Sequence, residues 1–212
     1  MDLERFISLW ARFGADGDWA GALYQDVYTL YATPGRHYHT PAHIAHCLQR
    51  KDEIAHLLED PNTVELAIWF HDVIYDMGAS DNEARSAEFF VERTAGKLSS
   101  CQAQRVVNHI HATIYPSQPT DPDAQFVVDI DLSSFSLPWP QFLRDSVNVR
   151  RESTTSDPYE YAEKQQSFLE MLCTAQPFFR TDFYLERYEQ QAQDNIRRIL
   201  ALLIARQQFH RK

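Results

Sequence analysis

Apolar residues recur three and four positions apart along most of the chain, which is the period of an amphipathic α-helix. The clearest case is the last predicted helix, residues 182–208, in which one apolar stripe is formed by Ile196, Ile199, Leu200, Leu203 and Ile204. The alternating runs of Val, Ile and Thr that are typical of strands do not stand out, and the sequence holds only 6 glycines. The pattern therefore predicts an all-α protein.

Prolines and capping signals divide this helical pattern into segments. Three segments begin with the signature of a capping box, formed by Asn62 with Glu65, Ser80 with Glu83, and Ser99 with Gln102. The segments that we predict as helices are 3–13, 19–31, 40–58, 62–77, 80–94, 99–114, 123–135, 141–154, 158–175 and 182–208. Nothing between them resembles a flexible linker, so residues 1–212 are predicted to form a single helical domain.

Composition and charge narrow the classes of function. The chain has 212 residues and an apolar fraction of 44%, which suits one or at most two globular domains. A net charge of −10, from 20 basic and 30 acidic residues, argues against a general nucleic-acid binder, which needs a basic surface. The three cysteines are odd in number and scattered, so they indicate neither a disulfide framework nor a zinc site.

The expected compartment follows from what targeting and membrane insertion require. The first residues lack the basic start and apolar run of a signal peptide. No uninterrupted apolar stretch approaches the roughly 20 residues needed to span a bilayer. Scattered cysteines fit a reducing compartment. We therefore expect a cytoplasmic protein with no membrane partner.

A histidine and an aspartate stand side by side in an otherwise apolar run, Trp69-Phe70-His71-Asp72-Val73-Ile74-Tyr75. Charged side chains are rarely buried without a partner, and a divalent cation would be a partner for both. The helix that begins near residue 40 offers further nitrogen ligands, because His39 and His43 are four apart and can share one helical face. His37 and His46, from the same stretch, fit a solvated helix start better.

Two further acids interrupt the apolar helix predicted at 123–135. Asp129 and Asp131 point about 200° apart on a helix, so one can face a metal while the other faces water or a basic side chain. The spacing alone does not say which of them does so. The preceding helix carries His109 and His111, for which a surface position is favoured over a role as a second ligand. Imidazole and carboxylate ligands together suit a borderline transition metal.

Taken together, these residues resemble a known family. An early histidine, an adjacent His-Asp pair and a distant aspartate, all on helices, are similar to the HD superfamily of metal-dependent phosphohydrolases. More narrowly, the chain resembles a bacterial group of predicted HD-superfamily metal-dependent hydrolases. The matching pieces are Arg36-x-Tyr38-His39-x3-His43-Ile44, Trp69-Phe70-His71-Asp72-Val73-Ile74-Tyr75-Asp76, Asn82-Glu83-x2-Ser86-Ala87, Asp129-x-Asp131-Leu132, Arg150-x-Glu152 and Glu189-x2-Ala192-x2-Asn195-Ile196.

The resemblance implies an all-α bundle of the HD-domain type with a divalent metal ion in its middle. The metal ligands that it implies are His39 or His43, His71, Asp72, and Asp129 or Asp131. His39 fits the first metal histidine of the family, and His43 is its rival. Glu83, or with less support Asp76, is expected to act on the attacking water.

The sequence departs from that group at two positions. Pro116 stands where the group often has a histidine, and Ser153 stands where it often has a tyrosine. Because a histidine is missing, one metal ion per chain is favoured over two.

The expected reaction is hydrolysis of a phosphoester in a nucleotide or another small phosphorylated metabolite, by a water that Mn, Fe, Mg, Zn or Co activates. Arg36 and Arg150 are the candidate ligands of the remaining phosphate charge. Two alternatives stay open: a catalytically degenerate HD module that binds a metal or a nucleotide, and a metal-dependent oxygenase with two irons. The apolar stripe of the last helix serves either the core or a homodimer.

Overall fold

A computed structural model describes residues 1–153, 157–174 and 177–210, and within these ranges helix is the only regular secondary structure. This confirms the all-α prediction. The α-helices are α1 (Leu3–Ala11), α2 (Gly17–Tyr31), α3 (Pro41–Glu53), α4 (Pro61–Phe70), α5 (Asn82–Arg93), α6 (Ser100–Ala112), α7 (Pro122–Leu132), α8 (Trp139–Glu152), α9 (Pro158–Thr174) and α10 (Asp182–His210). Short 3-10 turns follow α3 and α7, at Ala55–Leu57 and Ser133–Ser136. Two predicted helix ends, Thr154 and Ala175, lie outside the described residues.

Only one of the three predicted capping boxes is formed. Ser99 and Gln102 bond reciprocally at the start of α6, as predicted. The box at Asn62 is wrong, because the Asp60 side chain caps α4 by accepting the backbone amides of Asn62 and Thr63, and Pro61 occupies the first turn. The box at Ser80 is also wrong, because α5 begins two residues later, after Asp81.

The contacts of the chain divide it into two compact units, Met1–Asp131 and Leu132–Lys212. The prediction of a single domain stays a prediction. In the first unit, α4 is the central helix, since every residue from Thr63 to Phe70 is buried and it packs against α3, α5 and α6. A helix that is apolar on all sides is typical of a core position. Its aromatic residues meet those of α1, as in the edge-to-face pair of Phe6 and Trp69 at 4.9 Å.

One charged residue of α4 is buried with its partners. The carboxylate of Glu65 accepts Arg5 Nε at 2.6 Å and Lys51 Nζ at 2.6 Å, so that α1, α3 and α4 share one ion-pair network. Burial alone would raise the pKa of Glu65, but the two cations outweigh it and the pKa is lowered. This long-range pairing explains why Glu65 does not close a capping box.

The start of α7 is fixed to the turn before α4 by a single carboxylate. Asp123 is buried and accepts the backbone amide of Glu59 at 2.9 Å and that of Asp60 at 2.8 Å. Both carboxylate oxygens are therefore used on backbone donors. The bond sets where α7 begins relative to α4.

The second unit is built from α8, α9 and α10. Phe178, Phe179 and Tyr184 are buried in its core, and the half-buried Phe135 packs against Phe178, with ring centroids 4.8 to 5.3 Å apart between neighbours. Asn195 of α10 donates to the carbonyl oxygens of two residues in the turn before α8, both at 2.7 Å. In the described part of the chain, no helix has the length and apolar character needed to cross a membrane.

Candidate metal centre

Four side chains converge at the ends of three helices in the first unit. His43 lies in the first turn of α3, which Thr40 caps. His71 is the C-cap residue of α4, and Asp72 follows it in the next turn. Asp131 is the penultimate residue of α7. The His-Asp pair was predicted inside a helix that continued to residue 77, but α4 ends at Phe70 and the pair lies at its terminus.

The four side chains bring their ligand atoms together. His71 Nε2 lies 3.1 Å from Asp72 Oδ2 and 3.4 Å from Asp131 Oδ1. His43 Nε2 lies 3.2 Å from Asp131 Oδ1 and 3.3 Å from His71 Nε2. All four ligand atoms lie within 4.8 Å of one another. Three of the four residues are buried, so the cluster is directed into the protein rather than into solvent.

The tautomer of His71 follows from its second nitrogen. His71 Nδ1 lies 3.0 Å from the carbonyl oxygen of Ile68, which can only accept a hydrogen bond. Nδ1 therefore carries the proton, and in the neutral ring Nε2 presents its lone pair to the cluster. Metal-ligating histidines commonly donate their other N–H to a carbonyl in this way.

The charges of the cluster call for a positive centre. Burial alone would lower the pKa of His71, but the carboxylates of Asp72 and Asp131 outweigh it and the pKa lies well above its usual 6.5. Burial alone would raise the pKa of Asp72, but His71 and His39 lower the value to about 2. Hydrogen bonds from His43 and His71 hold the pKa of Asp131 well below its usual range. Two ionised carboxylates at such short range need a proton or a metal ion between them.

The spacing of these atoms fits a single divalent ion. Donors bound to one ion at about 2.1 Å lie about 3.0 Å apart at right angles and about 4.2 Å apart when opposite. The five separations that involve a histidine, from 3.1 Å between His71 and Asp72 to 3.7 Å between His43 and Asp72, lie between these values, and the two carboxylates lie within 4.8 Å of each other. Two imidazoles and two carboxylates are a ligand set for manganese, iron or zinc.

The turn that carries Asp72 is held from two sides. Arg36 donates from Nη1 to the carbonyl oxygen of Asp72 at 2.8 Å and from Nη2 to that of Val73 at 2.9 Å. Arg36 also donates to the carbonyl oxygen of His39 at 3.2 Å. These bonds use the guanidinium to fix the backbone of the site. Arg36 therefore has a positioning role, and the phosphate-binding role that the sequence predicts for it stays a prediction.

On the other side, two residues of α5 bond to the same turn. Asn82 accepts the amide of Asp76 at 2.9 Å and donates to the carbonyl oxygen of Asp76 at 3.0 Å. Ser86 makes the same pair of bonds with Ile74, both at 3.1 Å. Sequence reasoning did not assign roles to Asn82 and Ser86. The sequence does contain a signal for these roles, because the two residues are four positions apart and therefore lie on one face of α5.

Other predicted ligands lie beside the cluster but outside it. His39 Nε2 is 3.9 Å from Asp72 Oδ2, and its ring stacks on Tyr75 at 3.8 Å. Asp129 is fully buried two positions before Asp131 and does not belong to the group of four. Of the alternatives that the sequence left open, the structure thus brings His43 and Asp131 into the cluster.

The predicted catalytic acids differ in position. Glu83 is half-buried in the first turn of α5, and burial, together with the charges of Asp72 and Asp131, raises its pKa. Asp76 instead lies at the surface, where its carboxylate pairs with Arg85 at 2.7 Å. The charges of the cluster therefore act on Glu83, whereas Asp76 forms an ion pair at the surface.

Arg150 belongs to the second unit. Its guanidinium lies 4.3 Å from the ring centroid of Tyr161, which is on α9. The sequence-based role of Arg150 in binding substrate stays a prediction.

His109 and His111 do not join the cluster. His109 is buried, not exposed as the sequence predicted, and its Nε2 lies 3.4 Å from Asp121. Burial lowers the pKa of His109, although Asp121 opposes this shift. His111 is exposed. Neither is therefore placed to replace the histidine that the group often has at the position of Pro116.

A buried thiol next to the cluster was not predicted. Cys47 Sγ lies 3.7 Å from His43 Nε2 and 4.0 Å from the carbonyl oxygen of Ile130. The sequence signal was its position one turn after His43 on α3. Burial raises the pKa of Cys47 well above its usual value, so the thiol is protonated and packs as an apolar group.

Comparison with protein-family models and with curated proteins gave no match. The structure provides a buried His/Asp group that could hold a metal ion.

Proposed function

We propose that this protein is a metal-dependent phosphohydrolase of the HD type, which cleaves a phosphoester in a nucleotide or another small phosphorylated metabolite. One observation carries the proposal: His43, His71, Asp72 and Asp131 meet within 4.8 Å, in the chain order His, His-Asp, Asp. The lone pair on His71 Nε2 and the two ionised carboxylates make this a set of ligands for a divalent cation.

The reaction would use the residues in distinct roles. A bound divalent ion lowers the pKa of water and polarises a phosphoryl oxygen. His43, His71, Asp72 and Asp131 would hold the ion, and Arg36 would keep the turn of Asp72 in place through its backbone bonds. Glu83 would accept the proton of the attacking water, since its raised pKa makes it a stronger base than an ordinary carboxylate.

Two observations support one ion per chain. His109, the buried histidine nearest to the departure at Pro116, is paired with Asp121. Among the residues that the structure describes, the cluster of four is the only His/Cys/Asp/Glu group spaced to hold a metal. An oxygenase with two irons needs further ligands. A catalytically degenerate module needs no further ligands. The first experiment must therefore distinguish this module from an active phosphohydrolase.

The experiment is metal analysis combined with an assay of phosphate release. The purified protein, loaded with Mn²⁺, Co²⁺, Mg²⁺ or Zn²⁺, is tested against nucleoside monophosphates and an aryl phosphate. We expect one ion per chain and phosphate release that a chelator abolishes. The Asp72→Asn variant should lose both, whereas His111→Ala, which changes an exposed histidine outside the cluster, should keep both.

Three outcomes would contradict the proposal. A protein that binds no divalent ion has no such site. An Asp72→Asn variant with unchanged release, and with a normal helical spectrum, would place the chemistry elsewhere. An ion bound without any release under all four metals would favour the binding module.

A further inference from the structure

Tyr31 is the last residue of α2 and is fully buried, although it lies outside the group of four. Its hydroxyl donates to the carbonyl oxygen of Trp69 at 3.2 Å. Trp69 belongs to the last turn of α4, where carbonyl oxygens lack intrahelical partners, and the amide of Val73 donates to Phe70 at 3.2 Å. The hydroxyl therefore satisfies a backbone group that lies two residues before the ligand His71.

The direction of this hydrogen bond is fixed. Burial, together with the charge of Asp72, raises the pKa of Tyr31 well above its usual 10. The hydroxyl therefore keeps its proton at neutral pH, and the carbonyl oxygen of Trp69 can only accept. The substitution Tyr31→Phe would remove the donor and keep the ring.

The ring of Tyr31 contacts a second support of the metal centre. The guanidinium of Arg36 lies 5.2 Å from the centroid of this ring and 5.8 Å from that of Tyr75. Both distances lie within the roughly 6 Å over which an aromatic face attracts a cation. Arg36 in turn donates to the carbonyl oxygens of Asp72 and Val73. Tyr31 therefore contacts the backbone before the His-Asp pair and the cation that holds the backbone after it.

We propose that Tyr31 is a positioning residue of the metal centre, which holds the turn of His71 and Asp72 in one geometry through its hydroxyl and through Arg36. The inference rests on the proposed function, since it requires that the group of four bind an ion. Because α2 supplies none of the four ligands, its end acts on the ion through these two contacts. Residues that orient metal ligands are typically worth about 10- to 100-fold in metal affinity.

The first test compares Tyr31→Phe with Tyr24→Phe. Tyr24 is the matched control, because it is also buried on α2 and its hydroxyl also donates to a backbone carbonyl oxygen at 3.2 Å, that of Met1. Each intact variant is titrated with Co²⁺, whose visible absorption reports the geometry of its ligands. We expect Tyr31→Phe to bind Co²⁺ about tenfold more weakly and to have an altered spectrum. Tyr24→Phe should match the unchanged protein in both respects.

A second test separates the ring from the hydroxyl. Tyr31→Leu removes both groups and should bind Co²⁺ more weakly than Tyr31→Phe does. When each is combined with Arg36→Met, the two variants should show equal affinity, because the ring then has no guanidinium to hold. Residues in contact show such non-additive effects, whereas independent sites do not. If Tyr31→Leu does not fold, Tyr31→Phe alone decides the role of Tyr31.

The inference is overturned if Tyr31→Phe and Tyr24→Phe have the same affinity and spectrum, whether or not both differ from the unchanged protein. It is also overturned if the additional loss in Tyr31→Leu persists in the presence of Arg36→Met, because Arg36 would then not carry the effect. An unchanged protein that binds no Co²⁺ would overturn both this inference and the proposed function. Bound Co²⁺ without phosphate release would count against the proposed function alone.

Discussion

His71 Nδ1 and the carbonyl oxygen of Ile68, one turn earlier in α4, lie 3.0 Å apart. This bond orients the imidazole and leaves Nε2 facing Asp72 and Asp131. Because His71 is the C-cap residue, the carbonyl oxygen that it uses belongs to the last turn of the helix, where carbonyls lack intrahelical partners. The end of a core helix thus supplies both the ligand and the group that sets its tautomer.

Removing the imidazole of His43 should weaken metal binding far more than removing that of His39. Changing a residue that supports a metal ligand typically costs about 10- to 100-fold in metal affinity, and the loss of a ligand should cost more. We therefore expect His43→Ala to lose more than about a hundredfold and His39→Ala no more than about a hundredfold, measured by competition with a chelating dye. The opposite order would make His39 the ligand, as the family resemblance first indicated.

Metal affinity should rise with pH. Because the pKa of His71 is raised well above 6.5, the folded metal-free protein holds a proton on this imidazole at pH 6.5, and an ion must displace it. Below that pKa, the apparent affinity should increase about tenfold for each pH unit. Titration calorimetry in buffers of different ionisation enthalpy should show about one proton released per ion.

The proton on His71 stabilises the fold of the metal-free protein, so that the stability of this form should fall as the pH rises. A folded-state pKa above 6.5 stabilises the fold below pH 6.5, and this contribution is lost as the pH rises through the folded value. The free energy of unfolding should therefore fall with rising pH when a chelator is present and rise when the ion is present. Parallel trends in the two conditions would contradict this assignment.

Arg36→Met should loosen the metal centre without unfolding the protein. The carbonyl oxygens of Asp72 and Val73 would lose their guanidinium partner, so the turn would hold Asp72 less firmly. We expect metal affinity to fall by roughly 10- to 100-fold, as for other outer-shell changes. The matched control is Arg12→Met, because Arg12 bonds to Asn62 at an exposed position. Equal affinities for both variants would remove the positioning role from Arg36.

Glu83→Gln should separate catalysis from metal binding. The amide cannot accept a proton, so kcat for phosphate release should drop by about 10²- to 10⁴-fold, the usual contribution of a general base. Metal affinity should stay close to that of the unchanged protein, since Glu83 lies outside the group of four. Glu88→Gln, an exposed change on the same helix, is the control. A variant as active as the control would exclude Glu83 as the base.

Glu65→Gln should destabilise the fold by roughly 3–5 kcal/mol at neutral pH, because it removes the nearer of the two carboxylates that pair with the buried Lys51. The pKa of Glu65 is lowered in the folded state, so its contribution is present above about pH 4.5 and is lost as the pH falls through the folded value. Urea unfolding should thus show the gap between variant and parent narrowing in acid. Glu53→Gln, which breaks an exposed pair with Arg50, should cost no more than about 1 kcal/mol.

The helices could be predicted from the sequence, but the residues at which they end could be predicted less well. Each predicted segment overlaps one α-helix, because the apolar period reports the face that packs. The segment with His71 was extended too far, since Arg36, Asn82 and Ser86 hold the following turn through bonds that no local pattern shows. The capping box predicted for Glu65 was wrong for the same reason, because its partner Arg5 is 60 residues away.

The candidate site could be predicted as a set of residues but not as a geometry. The pair His71-Asp72 is visible as charge in an apolar run. The choice between Asp129 and Asp131 depends on which side of α7 faces α3 and α4. A helical period shows that the two point apart, but the side that faces inward is set by packing of the whole helix.

Contacts of Asp123 and Asp131 fix the two ends of α7. At one end Asp123 is bonded to the amides of Glu59 and Asp60, and eight residues later Asp131 reaches His43 and His71. An inserted or deleted residue between them would rotate Asp131 by about 100° and shift it by about 1.5 Å. Side chains along this interval can vary, but their number is constrained. Gaps in any alignment of homologous chains should therefore avoid positions 124 to 130.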